Sequence, residues 1–137
     1  EAGVIAIFCG KVLEQSTPTV YGDGLQTRDY VYVQDVVAAN LRAADLPLDG
    51  VPARIDERAF NVGTGVGTSV NRLADYLEEI ADRRPGREYR AERPGELRHS
   101  TLDASRFNEH GWAPTTPLRE GLRATYEFIE GARAGRA

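Results

Sequence analysis

The 137-residue chain contains no methionine, one cysteine and one lysine, and each shortage excludes a class of chemistry. A single cysteine, Cys9, cannot form an intrachain disulfide, which fits a reducing compartment. Its apolar neighbours predict a buried structural thiol rather than a nucleophile. Any catalytic motif that needs lysine can use only Lys11. Because the chain begins with Glu1 and lacks methionine, we expect the natural start to lie upstream.

Long hydrophobic runs and a positive net charge are also missing. The longest apolar run covers residues 4–9, six residues, which is far too short to span a bilayer. No charged-then-apolar leader precedes this run, so no signal peptide is expected. A formal net charge of −4 and a pI near 5.2 offer no basic field to a nucleic-acid backbone. We therefore expect a cytoplasmic protein without a nucleic-acid or membrane partner.

Helical and strand periodicities alternate along the chain, which is typical of a small mixed α/β domain. Helices are predicted over residues 4–13, 36–44, 70–80, 103–111 and 117–129. Strands are predicted over residues 19–21, 30–33, 59–63 and 88–92, with a surface loop at 46–56. Expected helix caps are Asp35, Thr68 or Ser69, and Asp103, with Pro117 in the first turn of the last helix. We expect one domain over residues 1–130 and a frayed tail over 131–137.

The most informative stretch is residues 21–37, which read YGDGLQTRDYVYVQDVV. It joins a glycine-rich turn, one arginine, a short alternating segment and a helix start. This order resembles the substrate domain of the extended short-chain dehydrogenase/reductases, the NAD-dependent nucleotide-sugar epimerases and dehydratases. Further matches follow in family order: NVGTG at 61–65, RPGE at 93–96, DAS at 103–105 and GW at 111–112. Within the family, the stretch looks most like UDP-glucose 4-epimerases.

The resemblance implies a small mixed α/β substrate-binding domain, the C-terminal part of an NAD-dependent UDP-sugar 4-epimerase. The N-terminal Rossmann domain, which would hold NAD and would be this chain's partner, is not in the sequence. The family's catalytic Tyr-x-x-x-Lys pair is impossible here, because Ile7 stands four residues before Lys11. Residues 63–67 read G-x-G-x-G, which differs from the dinucleotide fingerprint, so we interpret them as a strand-to-helix turn. We expect no catalytic, cofactor-binding or metal-binding residue in this chain, and no activity from it alone.

Five residues are assigned to the UDP-sugar by the resemblance. Arg28 and Arg93 stand where the epimerases place arginines on the diphosphate, a role suited to planar, permanently charged guanidinium groups. Glu96 stands where an aspartate usually binds the ribose hydroxyls. Thr19 and Tyr21 fall on a strand that packs against the uracil and offers it backbone hydrogen bonds.

Each assignment has a structural alternative. Arg28 could form an ion pair with Asp29 or Asp35, and the arginines around residue 93 are expected to be mostly solvated surface. Tyr21 could equally be a core residue. Other residues are assigned structural roles: Tyr30 and Tyr32 in sheet packing and Trp112 in the core. One face of the helix after Asp35 is expected to consist of Val36, Val37, Asn40, Leu41 and Ala44. His99 and His110 have no further ligand at zinc spacing.

Two other functions remain open. The chain could belong to a nucleotide-sugar 4,6-dehydratase or decarboxylase, and it is also open whether dTDP replaces UDP. It could also be a non-catalytic binding or assembly module. In that case copies would associate through the apolar surface that a Rossmann domain would cover, with Val4, Phe8 and parts of residues 30–37, and form a homo-oligomer.

Overall fold

The computed structural model of the chain describes residues 3–47, 54 and 58–135. Its helices are α1 (Val4–Leu13), α2 (Val33–Ala44), α3 (Val70–Ala81), α4 (Ser105–Glu109) and α5 (Leu118–Ala134). Its strands are β1 (Thr19–Tyr21), β2 (Thr27–Asp29), β3 (Gly67–Ser69), β4 (Glu88–Arg90) and β5 (His99–Ser100). The predicted mixed α/β class is confirmed.

Two small sheets hold these strands together. β1 pairs in parallel with β4, with Val20 opposite Tyr89. β2 is the central strand of the other sheet, antiparallel to β3 and parallel to β5. The parallel pairs β1–β4 and β2–β5 are far apart in sequence, because parallel strands need a long crossover connection between them.

The main core lies between α1, α3 and α5. Each helix contributes apolar side chains at helical spacing, and they form one buried cluster that includes Phe8, Cys9, Val12, Leu73, Leu77, Leu122 and Tyr126. Burying each of the larger side chains contributes about 1.5–3 kcal/mol. α3 begins as predicted, because Ser69 Oγ accepts a hydrogen bond from the Arg72 N–H at 3.1 Å. Burial also raises the pKa of the Cys9 thiol to about 11, which keeps this side chain protonated and structural.

A second cluster is mostly aromatic and joins α2 to α4. Phe107 stacks on Phe60 with ring centroids 4.5 Å apart and on Trp112 at 5.2 Å. The Trp112 indole N–H donates to the Asp35 backbone carbonyl at 3.1 Å. Trp112 is therefore a core residue, as predicted. Phe8, which was expected on an exposed apolar surface, is instead buried in the main core at 3% exposure.

The segment after the glycine-rich turn differs from its prediction. The strand expected at residues 30–33 lies instead at Thr27–Asp29, and α2 already begins at Val33. Alternation at this point does not reflect a pleat: Tyr30 packs against the main core, while the Tyr32 ring lies against Gly121 of α5. The prediction failed because two aromatic side chains with different tertiary partners can mimic strand periodicity.

The start of α2 also differs from its prediction, which had Asp35 as the N-cap. Its N-cap is Tyr32, and Asp35 lies inside the first turn with its side chain buried. The carboxylate accepts from the N–H groups of Thr115 and Thr116 at 3.0 and 3.1 Å. The apolar face that the sequence pattern predicts for this helix points outward, with Leu41 64% exposed. The buried residues of α2 are Asp35 and Ala39.

Four smaller differences concern element ends. Within the described residues, 59–63 pair with no strand, although Phe60 and Val62 pack on the aromatic cluster. Pro117 is the N-cap of α5 rather than part of its first turn. α4 ends at Glu109, and α5 continues to Ala134, so residues 131–134 are helical. Most of the loop predicted at 46–56 falls outside the described residues.

Candidate ligand-binding site

A cavity of about 580 Å³ opens beside α1, β1 and β2. All five residues assigned to the ligand line this cavity: Thr19, Tyr21, Arg28, Arg93 and Glu96. Helix α1 supplies much of the remaining wall through Val4, Ile7, Phe8 and Lys11. The cavity therefore combines an apolar wall with a few convergent polar groups, which is typical of small-molecule sites.

Arg28 is held at the cavity by hydrogen bonds rather than by a neighbouring aspartate. Its Nη1 donates to the carbonyls of Thr27 and Leu97 at 2.8 and 2.7 Å. Its Nη2 donates to Glu96 Oε1 at 3.3 Å. The expected alternatives, ion pairs with Asp29 or Asp35, are wrong. The three bonds leave two of the five guanidinium N–H donors for a ligand within the described structure.

Asp29 follows Arg28 directly and points to the opposite side of β2. Its carboxylate accepts from the N–H groups of Thr64 (2.9 Å), Gly65 (3.0 Å) and Leu102 (3.2 Å). Burial alone would raise the pKa of Asp29, but these hydrogen bonds, with one from the Thr64 hydroxyl, lower the pKa below its ordinary value. The glycine turn at 63–65 thus wraps around a protein carboxylate, which occupies the N–H groups that a dinucleotide phosphate would need.

Arg93 and Glu96 lie on the loop between β4 and β5. The guanidinium carbon of Arg93 sits 4.0 Å from the centroid of the Tyr21 ring, which is cation–π distance. The Glu96 N–H donates to the Arg93 carbonyl at 3.2 Å, and Gly95 has the positive φ of +77° that this tight turn requires. The loop therefore brings one positive and one negative side chain to the same cavity as Arg28.

The backbone of β1 offers a patterned edge to the cavity. Hydrogen bonds from Glu88 N–H to the Pro18 carbonyl and from Gly22 N–H to the Arg90 carbonyl join the even-numbered residues to β4. In a parallel ladder the backbone groups of the intervening residues point the other way, so the N–H and C=O groups of Thr19 and Tyr21 point away from β4. Along the cavity they present the Thr19 N–H, the Thr19 carbonyl and the Tyr21 N–H. This order is donor, acceptor, donor.

Gln26 and Tyr30 are among the cavity residues that received no ligand role from the sequence. Both line the cavity, and the Gln26 Oε1 and Tyr30 hydroxyl are buried without a hydrogen-bond partner in the described part of the chain. Burial raises the pKa of Tyr30, although Arg28 nearby opposes the shift, so the hydroxyl stays protonated and can donate. Their spacing with Arg28, two residues on either side, could have identified them, because alternate residues of an extended segment share a face.

The histidines serve local structure rather than a shared site. His99 Nδ1 lies 3.0 Å from the Thr27 hydroxyl, and the His110 ring meets the edge of Phe60 at 5.2 Å. Across residues 3–47 and 58–135, no three His, Cys, Asp or Glu side chains are placed to hold a metal ion. No helix in the described ranges combines the length and apolar character needed to cross a membrane.

Known proteins resemble this chain over nearly its whole length. The model of the NAD dependent epimerase/dehydratase family matches residues 1–63. The UDP-glucose 4-epimerase of Mycolicibacterium smegmatis is 44% identical over 130 residues, which cover 94% of this chain and 39% of that protein.

Solved structures agree in fold. The UDP-glucose 4-epimerase of Thermotoga maritima, solved with UDP-glucose, is 41% identical and superposes with a TM-score of 0.86 over 96% of this chain. A UDP-N-acetylglucosamine 4-epimerase from Methanobrevibacter ruminantium, solved with UDP-N-acetylmuramic acid, is 30% identical with a TM-score of 0.85 over 96% of this chain. In each case the match spans 40% of the solved chain. The resemblance seen in the motifs is confirmed: the chain belongs to the NAD dependent epimerase/dehydratase family.

Proposed function

We propose that this chain binds the nucleoside diphosphate of a UDP-sugar and forms the substrate-binding portion of an NAD-dependent UDP-sugar 4-epimerase. The observation that carries the proposal is the cavity. It combines the donor–acceptor–donor edge of β1 with two arginines and one carboxylate. Relatives named as UDP-glucose 4-epimerases support the same assignment.

The β1 edge favours uracil over cytosine. Uracil presents O4, N3–H and O2 in the order acceptor, donor, acceptor, which complements the edge formed by Thr19 and Tyr21. Cytosine presents an amino group and an unprotonated N3 at the first two positions. Its amino donor would then face a backbone N–H donor, and its N3 acceptor would face the Thr19 carbonyl acceptor. A site that leaves buried polar groups unpaired binds weakly. Thymine has the same edge as uracil, which keeps a dTDP-sugar as the alternative ligand.

The diphosphate fits the charged end of the cavity. Arg28 has free N–H donors there, and Arg93 brings a second guanidinium over Tyr21. The protonated Tyr30 hydroxyl adds a neutral donor. Charge-assisted hydrogen bonds to phosphate are stronger than neutral ones, so these groups would supply most of the affinity. Glu96 forms an ion pair with Arg28, and in this proposal its carboxylate accepts from the ribose.

Positioning is the contribution that these residues would make to catalysis. The glycine turn at 63–65 does not fit the pyrophosphate of NAD, because the N–H groups of Thr64 and Gly65 bind the Asp29 carboxylate. The chain also lacks the Tyr-x-x-x-Lys pair of the family. Holding the nucleotide while its sugar is presented elsewhere lowers the entropic part of the barrier without a catalytic group in this chain.

The second candidate function is assembly, and an exposed apolar stripe on α2 favours it. Val33, Val37 and Leu41 lie one turn apart and are 64%, 52% and 64% exposed. Such a stripe is expected to be covered in the working protein, either by a cofactor-binding domain or by another copy. Size-exclusion chromatography of the unaltered chain and of Val37→Glu tests the assembly function. Assembly predicts that the unaltered chain elutes as an oligomer and that Val37→Glu elutes as a monomer.

The nucleotide proposal is tested by titrating the chain with UDP, CDP and dTDP and following backbone amide signals by NMR. We expect UDP to shift signals of residues 19–30, with CDP at least ten-fold weaker because of its mismatched edge. Comparable affinity for dTDP would point to the dehydratase alternative. Equal binding of UDP and CDP, or no binding of UDP, contradicts the proposal.

A further inference from the structure

The loop between β4 and β5, residues 91–98, brings Arg93 and Glu96 to the cavity but has little apolar anchoring. Every residue of this loop is exposed except Glu96, which is half-buried. Its leucine, Leu97, is 65% exposed. A loop with few buried apolar contacts opens at a small cost in free energy, so its position depends on its polar contacts.

Two of these polar contacts run from the backbone of the loop to β2. The Thr27 N–H donates to the Arg98 carbonyl at 2.9 Å, and Arg28 Nη1 donates to the Leu97 carbonyl at 2.7 Å. The place of the Arg28 guanidinium therefore depends on where Leu97 and Arg98 lie. A shift of these two residues would also disturb Glu96, because its Oε1 accepts from Arg28 at 3.3 Å.

The side chain of Arg98 joins the end of the loop to the glycine-rich turn. Its Nη1 and Nη2 donate to the two carboxylate oxygens of Asp23, each at 2.7 Å. Exposed ion pairs usually contribute little, but a bidentate contact between arginine and a carboxylate is stronger and fixes the geometry of both groups.

Asp23 is itself held within the turn. Its Oδ1 also accepts from the Leu25 N–H at 2.9 Å, and its backbone carbonyl accepts from Asn71 Nδ2 at 2.9 Å. The hydrogen bond from Arg98, followed by that from the Leu25 N–H, lowers the pKa of Asp23 to about 2, so the carboxylate is ionised at neutral pH. The turn therefore offers a fixed, charged partner to the loop.

We propose that the Asp23–Arg98 ion pair holds the β4–β5 loop in its ligand-binding position. Neither Asp23 nor Arg98 lines the cavity beside α1, β1 and β2, so both are positioning residues that act through Arg28 and the loop. A loop that is ordered before the ligand arrives avoids the entropic cost of being ordered on binding. This inference rests on the proposed function, because it presupposes a nucleotide in the cavity.

The test measures UDP affinity by NMR titration of the unaltered chain, of Asp23→Asn, of Arg98→Gln and of the double variant. The amide oxygen in Asp23→Asn can still accept from the Leu25 N–H, so the turn keeps that bond. We expect each single variant to bind UDP about five-fold more weakly. The double variant should lose no more affinity than the single variants, because both side chains act through one contact.

The charges of the two variants separate positioning from a direct electrostatic effect on the ligand. Asp23→Asn removes a negative charge and Arg98→Gln removes a positive one. A direct effect on an anionic ligand would therefore strengthen UDP binding in Asp23→Asn and weaken it in Arg98→Gln. Positioning predicts weaker binding in both. Unchanged or stronger binding in Asp23→Asn overturns the inference, as do effects that multiply in the double variant.

Arg133→Gln is the matched control. Arg133 Nη1 pairs with Glu14 Oε1 at 3.0 Å, and the side-chain exposures of 45% and 51% almost equal the 46% and 51% of Arg98 and Asp23. Because this ion pair lies between α5 and the end of α1, its loss should change UDP affinity by less than about two-fold. A loss as large as that in Arg98→Gln would make the effect unspecific and overturn the inference.

Amide hydrogen exchange without ligand gives a second readout. The Thr27 N–H, which donates to the Arg98 carbonyl, should exchange at least about five-fold faster in both single variants, while the amides of α3 keep their protection. Unchanged exchange overturns the inference. Absence of UDP binding to the unaltered chain with faster exchange in the variants removes the proposed function alone. Full UDP affinity in both variants removes this inference alone.

Discussion

The two faces of β2 handle polar groups in opposite ways. On one face, the Asp29 carboxylate accepts from three backbone N–H groups and the Thr64 hydroxyl. On the side of Arg28, the residues that flank β2, Gln26 and Tyr30, bury polar atoms that have no partner in the described residues. An unpaired buried polar group costs about 1–3 kcal/mol, so a fold retains such groups where something else compensates them. The difference separates a structural anchor at Asp29 from the proposed ligand surface around Arg28.

The largest expected effect comes from a substitution on the face of β2 that carries Asp29. Asp29→Ala should lower the free energy of unfolding by about 3 kcal/mol, because several buried donors lose a charged acceptor at once. Urea unfolding followed by circular dichroism measures the change. Asp45→Ala is the matched control, since Asp45 is exposed at the end of α2 and should change stability little. A loss below about 1 kcal/mol for Asp29→Ala would erase the distinction between the two faces.

Substitutions on the side of β2 that carries Arg28 should change nucleotide affinity rather than the free energy of unfolding. Arg28→Ala should weaken UDP by about 10–100-fold, which corresponds to about 1.5–3 kcal/mol for a charge-assisted hydrogen bond. NMR titration provides the dissociation constants, and Arg123→Ala on the exposed side of α5 serves as the control. Unchanged UDP affinity in Arg28→Ala would remove Arg28 from the site.

Acid should lower the stability of the fold, because it protonates the hydrogen-bonded carboxylates of Asp29 and Asp35. Hydrogen bonds lower the pKa values of Asp29 and Asp35 in the folded chain below their ordinary value of 3.8, despite burial. A carboxyl with a depressed folded pKa stabilises above its unfolded pKa, and that stability is lost as the pH falls through the folded value. We therefore expect constant urea midpoints near neutral pH and a decline below about pH 4. The decline should be shallower in Asp29→Ala, and identical slopes would count against Asp29 as a contributor.

The smallest expected effect is also the most diagnostic of a ligand face. Tyr30→Phe removes a buried hydroxyl that has no partner in the described residues, so it should leave stability unchanged or raise it by about 1 kcal/mol. The same change should weaken UDP several-fold if the hydroxyl donates to the nucleotide. Tyr89→Phe is the control, because the Tyr89 hydroxyl already donates to Asn71 Oδ1 at 3.0 Å. A large loss of stability in Tyr30→Phe would show that the hydroxyl serves the fold.

Proline and glycine at the ends of elements made parts of the fold predictable from the sequence. α1 and β1 have the bounds expected from the sequence, because Pro18 and Gly22 limit what the chain can do beside them. The order of the motifs also predicted that Arg28, Arg93 and Glu96 belong to one site, and all three line the same cavity. Their binding role remains a prediction.

The errors share one cause, which is that partners distant in sequence decide the outcome. Residues 59–63 have strand-like composition but no pairing strand among the described residues. Asp35 was expected to cap α2, yet it lies inside the first turn, where its carboxylate accepts from the N–H groups of Thr115 and Thr116. Periodicity shows that a helix has an apolar face, but it does not show which partner covers that face.

The sequence alone determined the family, the mixed α/β class and the residues expected to meet a nucleotide. These depend on local composition, on turn residues and on the order of short motifs, all of which are present in the unfolded chain. Only the tertiary structure decided that Asp29 is an anchor while Arg28 faces a cavity. It also decided that Gln26 and Tyr30 bury polar atoms without partners there. Burial and hydrogen-bond satisfaction depend on which segments meet, and that property belongs to the packed molecule.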